Sequence, residues 1–323
     1  MTMLQDVAAP PRARLVSRPL LVRFVSVVGT ATSFYLLLST VPLYARSTGA
    51  SAGLAGLTTT ALTLSSVAAY PVTPRLMARY GTRAVLAGGL LALGLPALAL
   101  AFSDRIALIL AALAGLGSLP WLPASRAATG TTKADGMVAV LRNPALVRPA
   151  AVFSATTMAI GIIVTFLPLA VARTDAGVAA LALLVQPAAA IAGRWLAGRR
   201  GDRRGPAALL VPGVVAATAG MLALSLTAVP AAVIAGAAVF GLGFGVTQNV
   251  TQTLMYDRVP ESAYGAASAL WNLAYDGGMG LGAAGFGVLA LHTGYPIAFA
   301  LTAAILPAML LAVGRTRAAA RSA

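Results

Sequence analysis

Cysteine is absent from all 323 residues. Its absence excludes disulfides, thiolate metal sites and cysteine nucleophiles, and leaves the compartment open. Charge is nearly as scarce, at 10% of the chain, where soluble globular domains carry about 25%. So little charge cannot coat a surface facing water. A single histidine rules out the H-E-x-x-H zinc motif, and no phosphate-cradling G-x-x-x-x-G-K occurs. An enzyme and an ATP-driven pump therefore have little support, and no cofactor or metal is expected. Aromatics, at 6%, are not interleaved with basic residues, so the formal charge of +15 does not indicate a nucleic-acid partner.

What is present is apolar: 59% of the residues are hydrophobic. They fall in runs of near-spanning length, since about 20 residues at 1.5 Å each cross roughly 30 Å of hydrocarbon. The runs predict an all-α integral membrane protein with ten transmembrane helices, at Phe24–Ala45, Leu54–Val72, Val85–Phe102, Ile106–Leu122, Pro149–Ala170, Gly177–Leu196, Ala207–Leu226, Pro230–Leu254, Ala266–Leu291 and Tyr295–Val313. With the N-terminus placed inside, 20 of the 23 basic residues fall in cytoplasmic segments, and only Arg46, Arg105 and Arg173 fall outside. That asymmetry is the positive-inside pattern. It predicts cytoplasmic tails at 1–23 and 315–323 and a multi-pass protein of the cell membrane.

The chain also repeats itself. Val41-Pro42-Leu43 ends the first helix and Leu167-Pro168-Leu169 the fifth, and from each proline to the glycine of the next basic loop (Gly81, Gly205) the distance is 39 and 37 residues. Gly115-Leu116-Gly117 begins 34 residues after Gly81, and Gly241-Leu242-Gly243 begins 36 after Gly205. Then the register breaks: 80 residues follow Gly243, but only 31 separate Gly117 from Pro149. The implied organisation is an N-terminal four-helix bundle at 24–123, a cytoplasmic linker at 124–148 and a C-terminal six-helix bundle at 149–314. Duplicated halves are a common transporter design, with the substrate site between them near the midplane.

Gly198-Arg199-Arg200-Gly201-Asp202-Arg203-Arg204-Gly205 resembles the G-x-x-x-D-R-x-G loop signature of the major facilitator superfamily. The first-half loop from Pro74 to Arg83 keeps Arg79, Gly81 and Arg83 but has Ala78 in place of the aspartate, and looks like a degraded copy. The stretch Gly241–Gly245, with Val259-Pro260-Glu261, Gly265 and Asp276-Gly277-Gly278, is similar to the fourth and fifth helices of a half in drug- and sugar-efflux members. The resemblance implies a twelve-helix ancestor that has lost two helices of its N-terminal half. It also implies that the loop signature, Gly198, Asp202, Arg203 and Gly205, acts in conformational change, while its usual partner helix is among those missing.

Of eight acidic residues only Asp276 falls near a predicted helix centre. A charge there costs at least about 2.5 kcal/mol, so it needs a reason. Ser268, Asn272 and Asp276 form a stripe at spacing four, while Gly278, Gly282 and Gly285 fall on the other face, where small residues favour close packing. Asp276 reads either as a proton-coupling or substrate group or as a neutral hydrogen-bonding one. Gln248, Asn249 and Gln252 lie on the helix that the resemblance implies lines a central cavity; interfacial amides are the alternative. Thr32 and Tyr35 on the first helix and Thr157 on the fifth are further substrate-binding candidates, although such hydroxyls can bond back to their own helices. Trp121, Trp195 and Trp271 fall near predicted helix ends, where interfacial anchoring is the default.

Two functions follow. The first is a secondary active transporter, proton-coupled, exporting a small organic compound by alternating access; its partners are the substrate, protons and lipid, with self-association covering the incomplete half. The second is a non-transporting deletion product, or a structural membrane protein of the same descent, which the broken repeat would explain.

Overall fold

The computed structural model describes residues 34–69 except 36, 48 and 50, scattered positions between 76 and 91, and residues 141–171 and 176–322. By their contacts these fall into two units: Phe34 and the positions from 77 to 91 belong to one, and residues 35–76 and everything from 141 onward belong to the other. In the first unit Gly81 has φ +80°, a backbone conformation that side chains rarely adopt, and the Arg79 guanidinium lies 5.3 Å from the Tyr80 ring centre.

The second unit is built of helices, and no strand occurs among its described residues. They are α1 (residues 37–47), α2 (Ala52–Ala69), α3 (Pro144–Val171), α4 (Ala176–Arg204), α5 (Leu210–Leu224), α6 (Pro230–Tyr256), α7 (Tyr264–Thr293) and α8 (Tyr295–Ser322). Five described segments are long and apolar enough to cross a membrane: Pro144–Val171, Gly177–Arg203, Pro206–Leu224, Pro230–Tyr256 and Tyr295–Ala312. At 30 residues α7 also has the length, but its seven glycines and its polar residues make it less apolar than those five. Leu184, Ile191 and Leu281 are each about two-thirds exposed (68%, 67% and 66%). Such faces would be costly in water and are suited to lipid.

Local sequence sets the helix ends. α3 begins five residues before its predicted start: Asn143 Oδ1 accepts the Ala145 N–H at 3.0 Å and Pro144 takes the first helical position, the preferred cap and the preferred N1 residue. Pro149, the predicted start, is interior. Ser51 caps α2, accepting the Leu54 N–H at 3.2 Å. It also sits in Gly49-Ala50-Ser51-Ala52-Gly53, the one G-x-S-x-G stretch in the chain. No strand precedes it among the described residues, so this serine is a helix cap and lacks the strand-to-helix elbow a nucleophile needs.

α4 overturns one expectation. The apolar run ends at Leu196, yet the helix continues through Arg204, so Gly198, Asp202 and Arg203 are helical residues rather than loop. The turn comes at Gly205, with φ +80°, whose N–H closes the last turn onto the Gly201 carbonyl at 2.9 Å.

Packing rests on small residues. α6 lies between α4 and α5, α7 between α2 and α3, and α8 against α5 and α3. On α4 one face carries Gln186, Ala190, Gly193 and Ala197, all buried. Opposite them Gly241 and Gly245 of α6 face the carbonyls of Gln186 and Ala190, and Gly193 faces that of Leu242. Gly282 of α7 meets Met158 of α3 and Gly278 meets Ser154 and Thr157, whereas Gly285 has nothing within 4 Å of where a side chain would start. Two of the three glycines expected to pack therefore do so.

Candidate functional site

The polar centre of the second unit grows from α7. Asp276 is the thirteenth residue of the thirty in that helix and is 8% exposed. One turn earlier Asn272 donates one Nδ2 hydrogen to the Ser268 carbonyl at 2.9 Å, leaving its second Nδ2 hydrogen and its Oδ1 to offer elsewhere. Beside Asp276, the Tyr275 hydroxyl is hydrogen-bonded to that of Tyr35, just before α1, joining segments 240 residues apart in sequence. Asp276 and Arg194 both lie within electrostatic range of this tyrosine pair.

Neither Arg194 nor Tyr275 is among the residues that sequence reasoning selected. Arg194 falls among the cytoplasmic cations in a hydropathy reading, whereas the helix places it ten residues before its end, about 15 Å along the axis. Arg194 is exposed there and acts, like Asp276, on the tyrosine pair.

An aromatic wall adjoins the tyrosine pair. Phe153 of α3 stacks on Trp271 at 4.5 Å between ring centres and lies 5.9 Å from Tyr275 and 6.3 Å from Phe244 of α6. Trp271 is thus half-buried within this aromatic stack. Its Nε1 is buried with no hydrogen-bond partner, as is Oε1 of Gln248, one turn beyond Phe244. Leaving such a group unpaired costs about 1–3 kcal/mol. Trp195 is 61% exposed beneath the Arg199 guanidinium, 4.8 Å from its ring centre.

The other candidates divide. Gln248 is 7% exposed, and Asn249 and Gln252 are half-buried on the same helix. Thr157 spends its hydroxyl on carbonyls, those of Ser154 at 2.9 Å and, across to α7, of Ala274 at 3.0 Å. Asp202, Arg203 and Gly205 are exposed and Gly198 is half-buried. Arg79 and Gly81 belong to the other unit, and Thr32 and Arg83 lie outside the described residues. His292 bonds the Val288 carbonyl at 2.9 Å on its own helix.

Long apolar helices with lipid-suited faces, packed through glycines around a buried carboxyl and uncommitted amides, define a multi-pass membrane protein of the transporter class. The model of the Major Facilitator Superfamily matches residues 149–322, more than half of the chain. This protein belongs to that superfamily, a family of membrane transporters that act on small molecules. No curated protein matches the chain.

Proposed function

We propose that the chain is a secondary active transporter that exports a small organic compound across the cell membrane and exchanges a proton at Asp276. Ten transmembrane helices, four before the 124–148 linker and six after it, would place both termini in the cytoplasm. A four-helix half cannot enclose a cavity as a six-helix half does, so a second copy of the chain would cover the open side.

The observation that carries this reading is the buried Asp276 in the middle of α7. An ionisable group at the centre of a membrane-spanning helix is costly and so marks a candidate functional site, and a carboxyl there can offset that cost by binding a proton. The hydrogen bond between the Tyr275 and Tyr35 hydroxyls ties α7 to the first described helical residues of the chain, beside Asp276, so a change of charge there would be felt at this contact. Gln248 and Asn272 supply polar groups for substrate, and the Phe153–Trp271 wall supplies an apolar surface.

The test uses purified protein in liposomes with an imposed pH gradient and an internal pH dye, challenged with a panel of small organic compounds. The parent should couple proton flux to at least one compound, and Asp276→Asn should abolish the coupling while inserting normally. Equal coupling in both would remove the proton role. No flux for the parent with any compound would favour the non-transporting reading.

A further inference from the structure

Away from the polar centre, a cavity of about 380 Å³ opens between the first two turns of α3, the start of α5 and the end of α6. Two cations line it: Arg148 from α3 and Arg258 from the turn after α6. Both are half-buried, and no acidic residue lines the cavity. Arg258 is fixed in place by Nη1 donating to the Ala145 carbonyl at 2.8 Å. Both arginines keep further interactions within the protein, so they stand at the wall as positioned groups.

The first N–H groups of α3 are already engaged. Asn143 takes that of Ala145 with its side chain and those of Leu146 and Val147 with its carbonyl, at 3.0 Å each. Any anion here is therefore held by guanidiniums, which suit phosphate through their planar fork of donors. The remaining wall is apolar, with Val152, Leu210 and Leu254. Paired cations beside apolar walls match an amphiphile: an anionic head continuing into a hydrocarbon tail. Basic pockets between transmembrane helices bind lipid headgroups for this reason.

We propose that this cavity holds the phosphate of an anionic membrane lipid, with Arg148 and Arg258 on the phosphate and the start of an acyl chain against Val152, Leu210 and Leu254. Free phosphate shares the same head chemistry but would leave the apolar wall unused.

The full chain, purified in detergent, is titrated separately with dioctanoyl phosphatidylglycerol, dioctanoyl phosphatidylcholine and inorganic phosphate, with binding read by native mass spectrometry and by thermal shift. Phosphatidylglycerol should bind and raise Tm, phosphatidylcholine should bind at least tenfold more weakly, and Arg148→Gln should weaken the phosphatidylglycerol complex about fivefold, as expected for one basic residue. Leu210→Trp fills the cavity while keeping both charges, and should weaken binding as well; it decides the matter if the arginine variant does not fold. Equal binding of the two lipids, or unchanged affinity in both variants, would overturn the proposal. Inorganic phosphate binding as tightly as phosphatidylglycerol would overturn the lipid assignment in favour of a free anion.

Discussion

Adding a single methyl group at Gly161 would measure how far the fold depends on backbones in contact. A Cβ there would lie 2.8 Å from Met279 Cα and 3.0 Å from its carbonyl carbon, whereas carbon atoms rest at about 3.5–4.0 Å. The neighbour is backbone, so it cannot rotate away; α3 and α7 must part by roughly 1 Å at a fully buried crossing. Overpacking of this kind costs about 1–3 kcal/mol, and alanine recovers at most about 1 kcal/mol through helix propensity. Gly285 on the same helix as Met279 is the internal control, with nothing within 4 Å of its Cβ position. Gly285→Ala should therefore be neutral or stabilising. With a net cost near 1 kcal/mol, at about 2–4 °C per kcal/mol, Gly161→Ala should lower the midpoint of thermal unfolding in detergent by about 2–4 °C, read by fluorescence-detected size exclusion. A Gly161→Ala midpoint at or above the parent's, or an equal fall for Gly285→Ala, would refute the close-contact argument.

Thr60→Val removes a hydroxyl bond from α2 to the Gly280 carbonyl of α7 and should cost about 0.6 kcal/mol, with 1.7 as the ceiling. Thr58→Val, whose hydroxyl stays on its own helix at the Ala55 carbonyl, should be indistinguishable from the parent in the same thermal assay. Asp202→Asn should leave expression and transport within a few-fold, because its carboxylate is exposed and makes no hydrogen bond or ion pair among the described residues. Gly205→Ala should instead destabilise the protein by about 1–3 kcal/mol, since the backbone there has φ +80° and ψ 142°. Reporters fused to truncated chains should read cytoplasmic after Arg315, and an externally active reporter there would refute the ten-helix topology.

Much of the helical architecture is written in the apolar runs, because a bilayer demands length and hydrophobicity and little else. α6 starts where Pro230 predicts, and α8 starts at Tyr295 as its run does. The misjudged ends are those where hydropathy and helicity part company. α4 leaves its apolar run at Leu196, but Arg, Leu and Ala are strong helix formers, so Leu196–Arg204 stays helical in a polar setting. That same extension puts Arg194, two residues from the predicted end at Leu196, ten residues inside the helix. Pro149 resembles a helix start by type, but Asn143 and Pro144 satisfy the capping chemistry first. At the site, Asp276 stands out in the sequence as a lone acid in an apolar run. Tyr275 does not, because its significance comes from Tyr35, and no local pattern links residues 240 apart. Trp271 reads as an anchor by position and proves to be part of an aromatic stack, a distinction that only the neighbouring Phe153 makes.

The Thr60 hydroxyl lies 2.8 Å from the Gly280 carbonyl across the crossing and 3.0 Å from the Gly56 carbonyl on its own helix. Pulling α2 away from α7 therefore strands no donor: the hydroxyl has a waiting acceptor one turn back. Nor does the Gly280 carbonyl lose its place in the α7 ladder. Separation at this seam costs close packing but almost no hydrogen bonding, so the seam works as a latch with a built-in resting position. If α2 and α7 separate, this contact leaves no orphaned polar group, which in a bilayer would be penalised by several kcal/mol.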